Sequence, residues 1–220
     1  MPNPDHPYYL LTETCRLHHA TLVAVSKTRS IAEIDIVYQM GQRIFAENRA
    51  QELLEKAPSM AKDIEWHLIG HLQTNKVRSI MPYVSCIQSL DRINLWDKIQ
   101  EEAVRSDKKI KCLLQIKIAA EETKFGWTFE ELNKILLSGR HHACPDVIIC
   151  GVMGMASLTD DMTQVRNEMK SLKTSFDLLK DQHFKNDPAF DTISMGMSGD
   201  YSIALEEGST MIRIGSLLFT

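Results

Sequence analysis

The chain switches between two hydrophobic periods. Thr21–Ser26 is a short apolar, β-branched run of the kind that forms a strand buried on both faces. Ile31–Met40 then places Ile31, Ile34, Val37 and Tyr38 along one side of a helix. The exchange repeats. Further strands are predicted at Arg43–Ala46, Trp66–Ile69, Tyr83–Ile87, Lys111–Ile118, Asp146–Met153, Thr192–Met195 and Thr210–Ile214. Helices are predicted between them: Asn48–Lys56, Thr74–Ile80, Asp91 as N-cap to Ser106, one opening at Thr128 with Glu131 completing a capping box, Asp160–Gln182, and Asp200–Glu207.

Eight strands, each but the last followed by a helix, imply parallel pairing through right-handed crossovers. The expected fold is therefore α/β, a single (β/α)8 TIM barrel. The chain stops just after the eighth strand, so Tyr8–His19 is expected to supply the missing outer-ring helix. Residues 1–220 then form one domain, with residues 1–20 packing outside the barrel. The rival architecture is an open doubly wound sheet. No Gly/Ser-rich linker marks a boundary.

Composition narrows the function. Hydrophobic residues make up 44% and charged residues 25%, which excludes collagen-like, disordered and membrane classes. A balance of 25 Lys+Arg against 29 Asp+Glu, net −4, argues against a dedicated nucleic-acid surface. The five cysteines, at 15, 86, 112, 144 and 150, are odd in number and include no C-x-x-C pair, which fits a reduced compartment. The N-terminus has neither a basic n-region nor a long apolar h-region, and no apolar run reaches the ~18 residues of a membrane span. A soluble, cytoplasmic monomer is expected.

A barrel of this kind works at the C-terminal ends of its strands, so the residues just after each strand carry the chemistry. Lys27 closes the first strand. In a partly dry mouth it would offer the neutral amine that Schiff-base chemistry needs; the alternative is a lysine that snorkels to water. After strands seven and eight, Gly196, Gly199 and Gly215 allow backbone N–H groups to approach an anion, and Ser198 precedes a predicted helix. They could equally be turn glycines with Ser198 as a plain N-cap. Arg213, inside an apolar strand, needs a partner: a carboxylate, a phosphate or a ring nitrogen. His67 is a pocket or a core histidine, and Asn48 a pocket residue or a helix cap. His141-His142-x-Cys144 matches zinc spacing only loosely and has no distant partner pair.

Five ordered motifs then stand out: A-V-S-K-T at 24–28, F-A-E-N-R-x-Q-E at 45–52, W-H-L-I-G-H-L-Q-T-N-K at 66–76, S-M-G-M-S-G-D at 194–200 and R-I-G-S at 213–216. Together they resemble the YggS/PROSC family of pyridoxal 5′-phosphate (PLP) homeostasis proteins over residues ~20–219. The resemblance implies a barrel like the N-terminal domain of alanine racemase. It implies PLP held as an internal aldimine on Lys27, its phosphate on Ser198, Gly215 and Ser216, and Arg213 facing the pyridine nitrogen. Asn48 and His67 would line the ring pocket, with Met197 near it. It also implies a role in vitamin B6 homeostasis without established catalysis, with apo PLP-dependent enzymes as candidate partners. The sequence departs from the family at Ala46, usually glycine, and at Lys117 and Ala120, often Asn and Gly.

Two enzymatic readings compete. A racemase needs an acid/base group on each face of the cofactor, and the tyrosines at 8, 9, 38, 83 and 201 supply no loop residue aimed at the mouth. A Schiff-base aldolase would need a lysine on a later strand, and Lys117 is the candidate.

Overall fold

The eight expected strands are present in the expected order. In the computed structural model, which describes residues 5–119 and 125–219, they are β1 (Thr21–Val25), β2 (Ile44–Glu47), β3 (Glu65–Leu68), β4 (Val84–Leu90), β5 (Ile110–Gln115), β6 (Val147–Met153), β7 (Thr192–Ser194) and β8 (Met211–Ile214). Each pairs in parallel with the next, and β1 returns to β8 from Thr21–Met211 to Ala24–Ile214. Closure removes every unpaired strand edge and excludes the open doubly wound sheet.

Helix α1 (Pro7–Leu17) precedes β1. Helices α2 (Ile31–Gln39), α3 (Ala50–Lys56), α4 (Val77–Ile80), α5 (Ile93–Arg105), α6 (Phe129–Leu137), α7 (Met162–His183) and α8 (Tyr201–Glu206) occupy the seven connections. The capping box of Thr128 and Glu131 forms, and Ser30 with Glu33 makes a second at α2. Helix α1 buries Tyr8, Leu11 and Cys15 in the main core.

Three local expectations are corrected. Helix α5 is not capped by Asp91: its N-cap is Arg92, which makes no side-chain cap bond, because β4 runs on to Leu90 and leaves Asp91 at the strand end. Asn48 is not a cap either, since α3 begins at Ala50 after Arg49. Strand β5 stops at Gln115, so Lys117 lies beyond it; Ile116 makes only an isolated bridge to Trp127.

Along β1, side chains alternate between two apolar environments. Leu22 and Ala24 join Phe45, Leu68, Ile212 and Ile214 in the large core under the helices. Val23 and Val25 join Ala46 in a small cluster inside the barrel. Cys86, Leu113 and Met153 form a second small apolar cluster, and polar side chains are enclosed as well: His67, Gln88, Ser194 and Arg213 are all buried. The inner positions of β1 lead directly to the loop that carries Lys27.

Candidate cofactor-binding site

The β1 loop is held from behind. The Ser26 amide donates to Ala46 O at 2.9 Å, extending the β1–β2 ladder by one residue. Its hydroxyl donates to Glu47 Oε1 at 2.6 Å. Thr28 has φ 64°, a left-handed conformation that is uncommon for a β-branched residue, and its amide donates to Glu52 Oε2 at 2.6 Å. Lys27 stands between these two anchored residues and is exposed at the barrel mouth. Of the two readings of Lys27, a partly dry lysine or one that reaches water, the structure shows the second: the side chain is exposed. Asn48, exposed after β2, packs on the β3 loop, where a Cβ at Gly70 would lie 2.0 Å from Asn48 O. Only glycine permits that approach.

Arg213 sets the polarity of the barrel interior. Its guanidinium donates to Ser194 Oγ at 2.7 Å and to Gly154 O at 3.0 Å. Ser194 Oγ, having accepted there, donates to Gln88 Oε1 at 2.7 Å. That orients the Gln88 amide, so its nitrogen faces His67 Nδ1 at 2.9 Å and Met211 Sδ at 3.2 Å. Arginine can only donate, so each later step has one direction, and His67 Nδ1 must accept. His67 is therefore neutral with its proton on Nε2. Burial, aided by the Lys111 ammonium, holds its pKa down at about 4. Burial also lowers Arg213, to about 10, against the opposing field of Asp200. Among the described residues no carboxylate pairs with Arg213.

His67 is consequently not at the mouth. It sits inside the barrel and lines a cavity of about 420 Å³ at the opposite end, with Thr21, Glu65, Cys86 and Lys111. Its link to the expected pocket is the chain through Gln88 and Ser194 to Arg213.

The turns after β7 and β8 converge. Gly196 has φ 93°, and a Cβ there would lie 2.5 Å from that of Ala204, so this turn requires glycine. The Arg213 amide donates to Gly196 O at 2.9 Å. Asp200 is the N-cap of α8 and accepts from the Met197 amide at 2.5 Å, closing a tight turn around Ser198 and Gly199. Ser198 is thus not the cap; its hydroxyl is turned to the Gly215 amide, 3.4 Å away. Gly215 lies over the end of β1, where an added Cβ would be 3.2 Å from Val25 O. Met197 and Ser216 are exposed beside it. A hydroxyl and a backbone amide therefore face one another at the rim, where Gly215 lies over the last residue of β1.

Sequence reasoning missed two groups at this face. Glu47, Glu52 and Lys56 form the cluster behind Lys27; the first two stand within F-A-E-N-R-x-Q-E, and Lys56 follows Glu52 at helical spacing. On the β3–β4 side, Asp91 accepts from Arg92 at 2.5 Å and contacts His71 Nδ1 at 2.9 Å, and the His71 ring stacks on Phe125. The loose zinc spacing gathers no site: among the described residues no group of three or more His, Cys, Asp or Glu could hold a metal. Ala120 lies outside the described residues.

Comparison with known proteins agrees with this fold. Residues 6–220 match the family described as alanine racemase, N-terminal domain. A pyridoxal phosphate homeostasis protein of Synechocystis is 39% identical over 203 residues, covering 90% of this chain and 89% of that one. The human protein of the same name is 37% identical over 209 residues, covering 90% and 75%. PipY of Synechococcus elongatus, solved with PLP bound, superposes with a TM-score of 0.85 at 30% identity, covering 97% of this chain and all of that one. Alanine racemase of Clostridium difficile shares the fold, with a TM-score of 0.74 at 11% identity over 96% of this chain and 55% of its own. With the matching profile spanning nearly its whole length and such relatives at both sequence and structural level, the chain belongs to the alanine racemase N-terminal domain family and, within it, to the pyridoxal phosphate homeostasis proteins.

Proposed function

We propose that this protein holds pyridoxal 5′-phosphate covalently on Lys27 and serves PLP homeostasis rather than amino-acid turnover. The observation that carries the reading is the donor set at one end of the barrel. An exposed amine follows β1, a guanidinium with no carboxylate partner among the described residues is buried on β8, and a hydroxyl faces an amide between the turns after β7 and β8. They match an aldehyde, a ring nitrogen and a phosphate. When bound, the cofactor supplies an aldehyde that condenses with a primary amine, releasing water.

Ser198, Gly215 and Ser216 bind the phosphate, each hydrogen bond to it worth ~1.5–3 kcal/mol. Arg213 can only donate to the pyridine nitrogen, so it keeps that nitrogen unprotonated and weakens the ring as an electron sink. His67 supports Arg213 from within, Asn48 shapes the β2–β3 side, and Met197 flanks the ring. Inversion at an amino-acid Cα would require a second acid/base group across from Lys27. Tyr8 is buried in the core, Tyr38 bonds Asp63, and Tyr201 is half-buried in α8. The open mouth instead suits exchange of the cofactor with free amines or with apo-enzymes. Five free thiols fit a reduced, cytoplasmic setting, and no described helix is long and apolar enough to cross a membrane.

The test is the visible spectrum and the mass of the purified protein with PLP, before and after borohydride. Wild type is expected to show a reducible visible band and a fixed adduct on Lys27, and Lys27→Ala neither. A fixed adduct persisting in Lys27→Ala would refute the lysine assignment.

A further inference from the structure

Three side chains that the proposed function does not use are packed behind Lys27. Glu47, at the end of β2, is fully buried, and Lys56, in the last turn of α3, is nearly so. The Lys56 ammonium donates to Ser26 O at 2.8 Å, to Glu47 Oε1 at 2.8 Å and to Glu52 Oε2 at 3.1 Å. Those acceptors use all three of its N–H groups. Glu47 Oε1 also receives the Ser26 hydroxyl, and Glu52 Oε2 the Thr28 amide. Hence the residue before Lys27 and the residue after it both end on one charged cluster.

Such a cluster is a poor way to gain stability. Burial pushes the Glu47 carboxyl up, and its Oε2 is buried without a hydrogen-bond partner. Apolar residues of similar volume stabilise a fold as well as, or better than, a buried ion pair. The cluster also maintains Thr28 in a left-handed conformation, a local cost of the kind that collects at functional sites. What it does provide is direction: the Ser26 carbonyl and the Thr28 amide are fixed by hydrogen bonds from below, which determines where the Lys27 Cα–Cβ bond points. The phosphate and ring contacts come from β7 and β8, on other elements.

We propose that Glu47, Glu52 and Lys56 are positioning residues, which hold the Ser26–Thr28 backbone so that the Lys27 amine meets the cofactor's aldehyde carbon. The assignment rests on Lys27 as the attachment point. In the step concerned, the amine nitrogen bonds to the aldehyde carbon, the carbon–oxygen bond breaks, and water leaves. A well-oriented pair reacts at high effective molarity, which a displaced loop forfeits. Covalent retention should therefore fail while non-covalent binding survives.

The experiment compares two ligands on the full chain: PLP, and pyridoxine 5′-phosphate, whose alcohol cannot condense with an amine. Glu52→Ala is expected to weaken PLP retention roughly ten- to hundred-fold and to lower the yield of borohydride-fixed Lys27. Pyridoxine 5′-phosphate affinity should change by less than about threefold. Glu52→Gln retains an acceptor for the Thr28 amide and should restore most of the retention. Lys56→Met is a second route, because Glu47, already driven toward its neutral form, can take up a proton; the same split between ligands is expected. In a Lys27→Ala background, Glu52→Ala should cost PLP nothing further. Equal loss of both ligands, or undiminished PLP retention in both variants, would overturn the positioning role. Wild type that fixes no adduct on Lys27 would instead overturn the function on which the role depends.

Discussion

Acid should attack this barrel from within, at His67. The imidazole is 5% exposed, and its Nδ1 accepts from Gln88 in a chain whose directions Arg213 dictates. A proton on Nδ1 would meet an N–H that cannot turn away without breaking the Ser194 contact. Burial and Lys111 accordingly hold the pKa at about 4, against 6.5 for a free imidazole. In the unfolded chain the group therefore binds its proton at higher pH than in the folded one, and stability falls as pH drops between the two values. Above pH 6.5 the term is close to zero. At pH 4.5 it reaches roughly 2.5 kcal/mol, rising toward about 3 kcal/mol below pH 4. The assay is urea unfolding at pH 7 and pH 4.5 of wild type and His67→Gln, so that carboxylate titrations common to both cancel. Wild type should lose about 2.5 kcal/mol more than the variant over that interval. Nitrogen NMR shifts should show the proton on Nε2. Parallel pH dependence in the two proteins, or a proton on Nδ1 at pH 7, would refute the argument.

Other outcomes follow from the same geometry. Under the proposed function, Ser198→Ala should weaken PLP affinity roughly ten- to hundred-fold by equilibrium titration, since it would remove one hydrogen bond to a charged group. Gly70→Ala places a Cβ against Asn48 O and should lower unfolding stability by about 1–3 kcal/mol in denaturant titration, with the β2 and β3 loops forced apart. The PLP-loaded protein, incubated with L- and D-amino acids in deuterated water, should show no saturable Cα exchange by NMR and no inversion on chiral chromatography. Rapid inversion that disappears in Lys27→Ala would favour a racemase.

The barrel was legible because short continuous apolar runs and helical spacings are local signals that closure merely assembles. Boundaries shifted where tertiary contacts intervened: β4 extends to Leu90, which moves Asp91 from a helix cap to a partner of Arg92 and His71. Residues of the site were legible as strand ends and motifs, but their environments were not. Lys27 could be read as partly dry or as reaching water, and it is exposed, because exposure depends on how far the loop projects beyond the strand end. His67 was read as a pocket or a core histidine; it is buried against Gln88, and a four-residue strand does not disclose which layer of the interior its third residue enters. The Glu47–Lys56 pair was missed since each residue alone reads as a solvated helix or strand end. Only the approach of α3 to the β1 loop buries them together.

The pairing of β1 with β8 has a consequence for biosynthesis. Under the proposed function, the cofactor is attached through a residue made well before the residues that grip it. At ~5–20 residues per second, of order ten seconds or more separate Lys27 from Gly215 on the ribosome. During that interval a nascent chain has an amine but no phosphate cradle and no closed cylinder, so it can capture the aldehyde only fleetingly. Once β8 docks, a molecule joined to one side of the seam and hydrogen-bonded to the other acts as a clasp. Its contribution to resisting unfolding then grows with the logarithm of free cofactor concentration. The protein's lifetime in the cell would thereby report how much of the vitamin is available.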